Sequence, residues 1–373
     1  MRLSRLVLDE FRNFSHEELS PAREGVTLLR GANGQGKTNI LEAISVVATL
    51  ESFRGADSSA MIRQFQPSAR IGAELLGERD HLVDIEVVLT SARTRAFRNG
   101  NLLKRNGDIV GEIRAVAFFP DDLDLIKAGP AVRRRFLDDG LIAISPRFGP
   151  IRSAFERAAR QRARLLKQVG GHLTNDLELA LDVWDDRVAD TGSRLVAHRE
   201  NLCGLLIEPV NDIYQRLSGE SGTVSISYTR SWEGELLDAL VQSRREDVRA
   251  GIAQLGPQRD DLAICLANRP ARSCSSQGEQ RCLALALRLG IHRVASEGGL
   301  DTVGLGPRSD FAPNGDPPIL LLDDVFSELD PIRSAALAES LPAGQVFISA
   351  AGEIPSSLKP AVALTVSSGR IDR

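Results

Sequence analysis

The sequence predicts an α/β fold in two lobes, the second of them helical and carrying a short antiparallel coiled-coil arm. Three observations predict it. Residues 27–47, TLLRGANGQGKTNILEAISVV, read as a short apolar strand, a glycine-rich turn and a helix. Far along the chain the most apolar stretch, residues 319–322, ends in Asp323 and Asp324. Between them Leu177, Leu181, Trp184, Val188, Leu195, Leu202 and Leu205 recur at intervals of three, four and seven, the spacing of a coiled-coil seam. At 373 residues the chain is long enough to bury a sizeable core and to divide into two lobes.

In chain order, Leu6 and Leu8 alternate with Arg5 and Asp9 in what reads as an edge strand, running through Phe11 to Phe14 into a polar loop. Residues 27–30 feed the glycine turn, and the helix behind it buries Ile40, Leu41, Ile44 and Val47 on one face. Val83, Ile85 and Val87 alternate with Asp84 and Glu86 in a strand over 82–89, and Asn99-Gly100 signals a hairpin. Residues 115–119 form a short strand stopped by Pro120, after which Asp121 or Asp122 can cap a helix.

A basic stretch comes next: Arg133, Arg134 and Arg135, then Arg157, Arg160, Arg164 and Lys167 on one helix face, with Phe155, Ala158, Leu165 and Val169 on another. Two readings stay open for it, a solvated charged face or a surface for a phosphate backbone. Gly170-Gly171 joins this helix to the seam helix and so makes the arm, which Gly192, His198 and Pro209 interrupt and residues 219–222 close. Beyond the arm come a strand over 223–228, a helix over 236–248, a strand through Cys265 and a helix over 282–294. Residues 297–318, rich in Gly, Pro and Asp, read as a flexible insertion, and 346–349 as a last buried strand. The expected division is 1–120 with 285–373 as the first lobe and 121–284 as the second, its arm over about 146–218.

Net charge is −4, from 46 Lys and Arg against 50 Asp and Glu, which taken alone argues against nucleic acid as a partner. The distribution matters more than the sum. The four cysteines, Cys203, Cys265, Cys274 and Cys282, have no CxxC or metal spacing and read as reduced thiols of a cytoplasmic protein. No apolar run is long enough to span a bilayer, and Asp9 and Glu10 fall where a signal peptide would be apolar.

The chemistry is written in three places. Gly31, Ala32, Asn33, Gly34, Gln35, Gly36, Lys37 and Thr38 fit G-x-x-x-x-G-K-[ST], the P-loop that wraps backbone N–H groups around phosphate oxygens. Lys37 then reaches the outer phosphates of a nucleoside triphosphate, and Thr38 places its hydroxyl on Mg2+. Asp323, delivered by a buried strand, is the second expected metal ligand, and Asp324 orients or deprotonates the attacking water. Ser276, Gln277, Gly278 and Glu279 open a helix with a hydroxyl and free N–H groups, a second phosphate-binding surface of the kind found as the signature of ABC-type ATPases. An ordinary capped helix would look the same, but residues 327–330, SELD, match the D-loop of that superfamily.

With these motifs in place the chain resembles the RecF family of SMC-like ATPases nearly end to end. The resemblance rests on FRNF at 11–14, GANGQGKTNILEAI at 31–44, SFRG at 52–55, FFPDDLDLIKAGPAVRRRFLD at 118–138, GPQRDDL at 256–262, SQGEQR at 276–281 and ILLLDDVFSELD at 319–330. It implies an ABC-type ATPase head that hydrolyses ATP weakly in a DNA-dependent way, and an ATP-dependent homodimer on gapped DNA or single-strand/double-strand junctions. It also implies partnership with RecO and RecR in loading RecA, and it adds Arg12, Asn39 and Asp330 to the nucleotide contacts. Lys37, Asp323, Asp324 and Ser276 become the expected catalytic set, with ATP closing the dimer between the P-loop of one copy and the signature of the other. Three departures stand out: Gln258 where the family usually has His, the long 297–318 segment, and Ser349-Ala350-Ala351 without the His of many transporter ATPases.

Three rival readings are weighed against this one. A nucleotide-binding subunit of a membrane transporter would carry the missing His and lack the arm. A long-armed nuclease partner would carry a CxxC zinc hook, and a P-loop kinase would leave the signature without a purpose.

Overall fold

A computed structural model describes residues 1–77, 81–168, 174–219, 222–297 and 317–372. The chain opens with β1 (Arg2–Phe11) and β2 (Phe14–Leu19), then the P-loop strand β3 (Gly25–Arg30), α1 (Lys37–Thr49) and the one-turn α2 (Ser58–Met61). Strands β4 (Ser68–Leu76), β5 (Leu82–Thr90), β6 (Thr94–Arg98) and β7 (Asn101–Leu102) come next, then β8 (Ala115–Phe118). Asn99 and Gly100, at φ 49° and 75°, turn the expected hairpin between β6 and β7. The antiparallel sheet runs β2-β1-β4-β5-β6-β7, so β1 is an interior strand and the edge expected from its alternation is taken by β2. Alternation reports that one face is buried, which an interior strand of a one-sided sheet satisfies equally.

The second lobe begins with α3 (Asp124–Lys127), α4 (Pro130–Ile144), α5 (Phe148–Gln168) and the 44-residue α6 (Asn175–Ser218). Next come β9 (Val224–Thr229), α7 (Leu236–Ala250), β10 (Asp261–Leu266), β11 (Arg269–Pro270), α8 (Ala271–Cys274) and α9 (Gln277–Glu297). The chain then returns through β12 (Ile319–Leu322), α10 (Pro331–Glu339), β13 (Gln345–Ala350), β14 (Val362–Ser367) and β15 (Arg370–Asp372). These complete a second six-stranded sheet, β15-β14-β3-β13-β12-β8, parallel throughout except for the last hairpin.

Both faces of that parallel sheet are buried. Leu29, Ile319, Leu321 and Phe347 pack with α1 and the antiparallel sheet, while Leu28, Leu320, Leu322, Val346 and Ile348 face the helices of the second lobe. This double burial is why β12 reads as an unbroken apolar run. Helix α1, enclosed between the two sheets, is buried continuously over residues 40–48, a wider contact than the single face expected from its pattern.

Helix α6 runs without a break through Gly192, His198 and Pro209, against the expected interruptions. Gly192 is a packing residue: a Cβ there would lie 2.9 Å from Leu236 Cδ2 and 3.0 Å from Pro257 Cγ. The seam residues Leu177, Leu181, Val188, Leu195 and Leu202 are buried. They serve more than a two-helix arm, since α7 packs on the outer part of the α5–α6 pair and α9 on the inner part of α6. The expected Gly170-Gly171 turn and Val169 lie outside the described residues, as does the 297–318 segment apart from Glu297, Pro317 and Pro318. All four cysteines are free, with Cys203 and Cys282 in the core.

Candidate functional site

Strand β3 ends at Arg30, and the loop after it passes so close to β14 that a Cβ on Gly31 would meet the Val366 carbonyl oxygen at 2.1 Å. Gly36, at φ 117°, turns the chain into α1 beside Asn13, and no side chain caps the helix. Its first N–H groups therefore keep the anion-binding character of a helix N-terminus. Asn33 and Gly34 are exposed at the loop tip. The loop is braced from outside by both ends of the chain. Asn13 Nδ2 donates to the Gln35 carbonyl at 2.8 Å, and the backbone N–H of Ser368 donates to Gln35 Oε1 at 2.5 Å. Asn39 Nδ2 donates to Asn13 Oδ1 at 2.8 Å.

Lys37 is buried, and its ammonium donates to the carbonyls of Gly31 and Ala32 at 2.8 and 2.9 Å. Burial pushes its pKa down, while Asp324 and Asp323 pull it back up. Thr38 Oγ1 donates to Asp323 Oδ1 at 2.9 Å, and the buried Ser349 donates to the same oxygen at 2.6 Å. Burial raises the Asp323 pKa against the downward pull of these two hydrogen bonds. Asp324 adopts the left-handed conformation at φ 46°. Its backbone N–H donates to Ser349 Oγ at 2.9 Å, and its carboxylate accepts the Ala351 N–H at 3.4 Å. A hydroxyl and one carboxylate side by side next to a phosphate loop form a donor set that fits Mg2+, which keeps several waters and takes its remaining ligands from substrate phosphates.

The structure places Arg12 elsewhere than on the loop: its guanidinium grips both Glu42 oxygens, at 2.8 and 2.6 Å, and the Ala60 carbonyl at 2.7 Å. Glu42 also accepts from Ser52 Oγ at 2.5 Å, and Arg54 donates to Asn39 Oδ1 at 3.1 Å. Sequence pattern assigns no role to Arg54, Asn13, Glu42 or Ser349. The FRNF and SFRG segments that supply Asn13 and Arg54 were legible only as family signatures.

At the signature, Ser276 and Glu279 form a reciprocal cap on α9. The Ser276 N–H donates to Glu279 Oε2 at 2.6 Å, and the Glu279 N–H to Ser276 Oγ at 3.3 Å. That contact, first with the Ser276 N–H, holds the Glu279 carboxyl below its usual range. Helix α9 thus starts at Gln277, directly after Ser276 as the cap reading expects and ahead of the apolar run at 282–294, and Gly278 lies in its first turn. Asp330 caps α10 by accepting the Arg333 N–H at 3.0 Å. Among the described residues no hydrogen bond or ion pair joins 276–279 to the P-loop of the same chain.

The basic residues divide. Arg133 is buried and makes a two-pronged pair with Asp261 at 2.7 and 2.9 Å, which corrects the expectation that it faces DNA. Arg134, its pKa lowered by burial, donates to the Asp260 carbonyl at 2.5 Å and is likewise committed inside the lobe. Arg135 is half-exposed near Asp139 at 3.4 Å. Arg157, Arg160, Arg164 and Lys167 are all exposed along α5, and only Arg160 of the four has an ion pair among the described residues, with Glu156 at 3.6 Å. Gln258 uses its amide N–H locally, on the Leu255 carbonyl at 2.8 Å.

Comparison with known proteins shows the family and the fold. The RecF/RecN/SMC N terminal domain model matches residues 2–353. DNA replication and repair protein RecF of Streptomyces avermitilis is 36% identical over 391 residues, covering all of both chains. The protein of the same name from Kineococcus radiotolerans is 36% identical over 96% of this chain and 95% of its own. The solved structure of the recombination mediator protein RecF with ATP, in the RecFOR pathway, superposes with TM-score 0.86 at 27% identity, covering 100% of this chain and 97% of that one. An Smc head domain from Pyrococcus furiosus shares the fold, at TM-score 0.54 and 16% identity. No helix among the described residues is long and apolar enough to cross a membrane.

Proposed function

This chain belongs to the RecF family, binds ATP and is an ATPase of DNA replication and repair, and from that premise we propose that ATP clamps two copies of it over DNA. The transporter reading has no support among its relatives. The observation that carries the proposal is the separation of two phosphate-binding surfaces on one chain, the P-loop at 31–38 and the signature at 276–279, with no hydrogen bond or ion pair between them among the described residues of the protomer. A second copy brings the missing half.

In this reading the N–H groups of Gly34, Gln35 and Gly36 and the ammonium of Lys37 hold the β- and γ-phosphates, Lys37 exchanging its Gly31 and Ala32 carbonyl partners for phosphate oxygens. Asn39 and Asp330 line the same site. Arg12 contributes by fixing Glu42 and the start of α1. Thr38 and Asp323 would hold Mg2+, which when bound neutralises developing charge on the phosphates. Asp324 orients the attacking water. Its side chain is one methylene shorter than the Glu common in ABC-type ATPases, which suits slow, DNA-stimulated turnover and a timer more than a motor. Hydrolysis reopens the dimer.

The exposed row on α5, with Arg135, is the surface offered to the DNA backbone, and gaps or single-strand/double-strand junctions are its targets. RecO, RecR and RecA are the partners, beside the chromosome in the cytoplasm. Sedimentation with ATP tests the composite site. Ser276→Arg is expected to stay monomeric, and an ATP-dependent dimer of that variant overturns the proposal. Binding to gapped, single-stranded and duplex DNA, with and without ATP, tests the clamp, and the ATP effect is expected to be largest on gapped DNA.

A further inference from the structure

Three residues beyond the D-loop aspartate, Arg333 reaches from the first turn of α10 back onto the signature helix. A Cβ placed on Gly278 would lie 2.5 Å from Arg333 Nη1. The same nitrogen is 3.3 Å from Asp330 Oδ2, and 22% of the side chain is exposed. Neither motif nor spacing assigns Arg333 a part.

The charge at this spot explains why a cation is wanted. The Glu279 carboxylate sits on the Ser276 N–H, so the end of α9 carries an anion of its own. That anion offsets the positive end of the helix dipole where the γ-phosphate of a partner's ATP is to arrive. Neutral donors from Ser276 and Gly278 meet a phosphate poorly under those conditions. Arg333 is in contact with Gly278, and its tie to the half-exposed Asp330 is a surface pair that costs little to exchange. A phosphate offers a guanidinium the stronger two-pronged geometry.

We propose that Arg333 is a catalytic residue acting in trans: its guanidinium leaves Asp330 and contacts the γ-phosphate of the ATP held by the P-loop of a second copy of this chain. This rests on the composite-site reading above, and the test separates the two.

Arg333→Ala alone is expected to lower turnover by about 10- to 100-fold, the worth of a charged hydrogen bond, with Arg333→Lys recovering part. Nucleotide affinity of the isolated protomer stays unchanged. The decisive measurement mixes Arg333→Ala with Lys37→Ala. In a mixed dimer both lesions fall in one composite site if Arg333 acts in trans, and the other site is intact, so turnover returns. If Arg333 serves its own protomer's ATP, both sites are damaged and turnover stays lost; if it only packs α10 against α9, Arg333→Met keeps that packing without the charge and turns over like the parent, which overturns the proposal. A parallel mixture of Ser276→Arg with Lys37→Ala reports on the composite site itself. Recovery in that control without recovery for Arg333→Ala overturns the proposal and leaves the composite site standing, whereas no recovery in either overturns both. Full turnover of Arg333→Ala alone also overturns the proposal. Arg333→Gln, mixed in the same way, distinguishes loss of the cation from a failure of Arg333→Ala to fold.

Discussion

Ser349 is where the two acidic residues after β12 are joined: it donates to Asp323 Oδ1 and accepts from the Asp324 backbone. Ser349→Ala removes both hydrogen bonds, and turnover is expected to drop by about tenfold with ATP binding kept, as measured by steady-state hydrolysis and nucleotide titration. Asp323→Asn separates stability from chemistry. Burial raises the Asp323 pKa above its unfolded value, so the fold favours the protonated form, and ionisation costs stability as pH rises through the raised pKa. The neutral variant is therefore expected to melt at or above the parent temperature at pH 7 without nucleotide, and to have no measurable turnover. A lower melting temperature for Asp323→Asn would contradict that. Lys37, Thr38, Asp323 and the signature serine were legible in the sequence because each belongs to a motif of fixed local spacing. The partners of Arg12 and the bridging Ser349 were not, since those contacts join residues that only folding brings together.

Helices α5, α6 and α7 share an ionic knot that hydrophobic periodicity does not announce. Arg162, 2% exposed, pairs with Asp185 and Asp247, both fully buried, and Arg244 adds pairs to Asp185 and Asp182. Arg162→Ala leaves two carboxylates buried without their shared cation and is expected to cost about 3–5 kcal/mol in denaturant unfolding. In α9, His292 Nε2 lies 2.8 Å from the Pro318 carbonyl oxygen, just before β12. Burial pushes its pKa down to about 4 from 6.5. The folded protein keeps it neutral while the unfolded chain takes up a proton below 6.5, so stability is lost as pH falls from 6.5 towards 4, by up to about 1.4 kcal/mol per pH unit. His292→Gln should flatten that part of the stability–pH curve. The elements themselves were mostly legible, strand β12 to the residue, because a doubly buried strand is a bare apolar run. The continuity of α6 was not: its Gly and Pro look like breaks, yet Gly192 is required by the close approach of Leu236 and Pro257, a reason invisible to local rules.

Across the whole molecule a net charge of −4 coexists with one exposed basic row, while Arg133, Arg162 and Arg199 of the second lobe are paired with carboxylates inside it. Replacing Arg157, Arg160, Arg164 and Lys167 by Gln should reduce the salt dependence of DNA binding by roughly 0.9 in log–log slope for each phosphate contact removed. An unchanged slope would make the row a solvated face. The architecture was readable from the order of motifs, whereas the sharing of α6 between arm and lobe core depends on packing partners far away in sequence. The sheet order has a further consequence, for synthesis. The P-loop strand β3 lies between β13 and β14, and the loop itself is held in part by Ser368, so β3 has no sheet neighbours until β13 and β14 leave the ribosome. A nascent chain stalled before β13 carries every residue of the nucleotide loop and its Asn13 brace, but neither strand that flanks β3. The sheet that seats the nucleotide loop is thus assembled only after β13 and β14 are made.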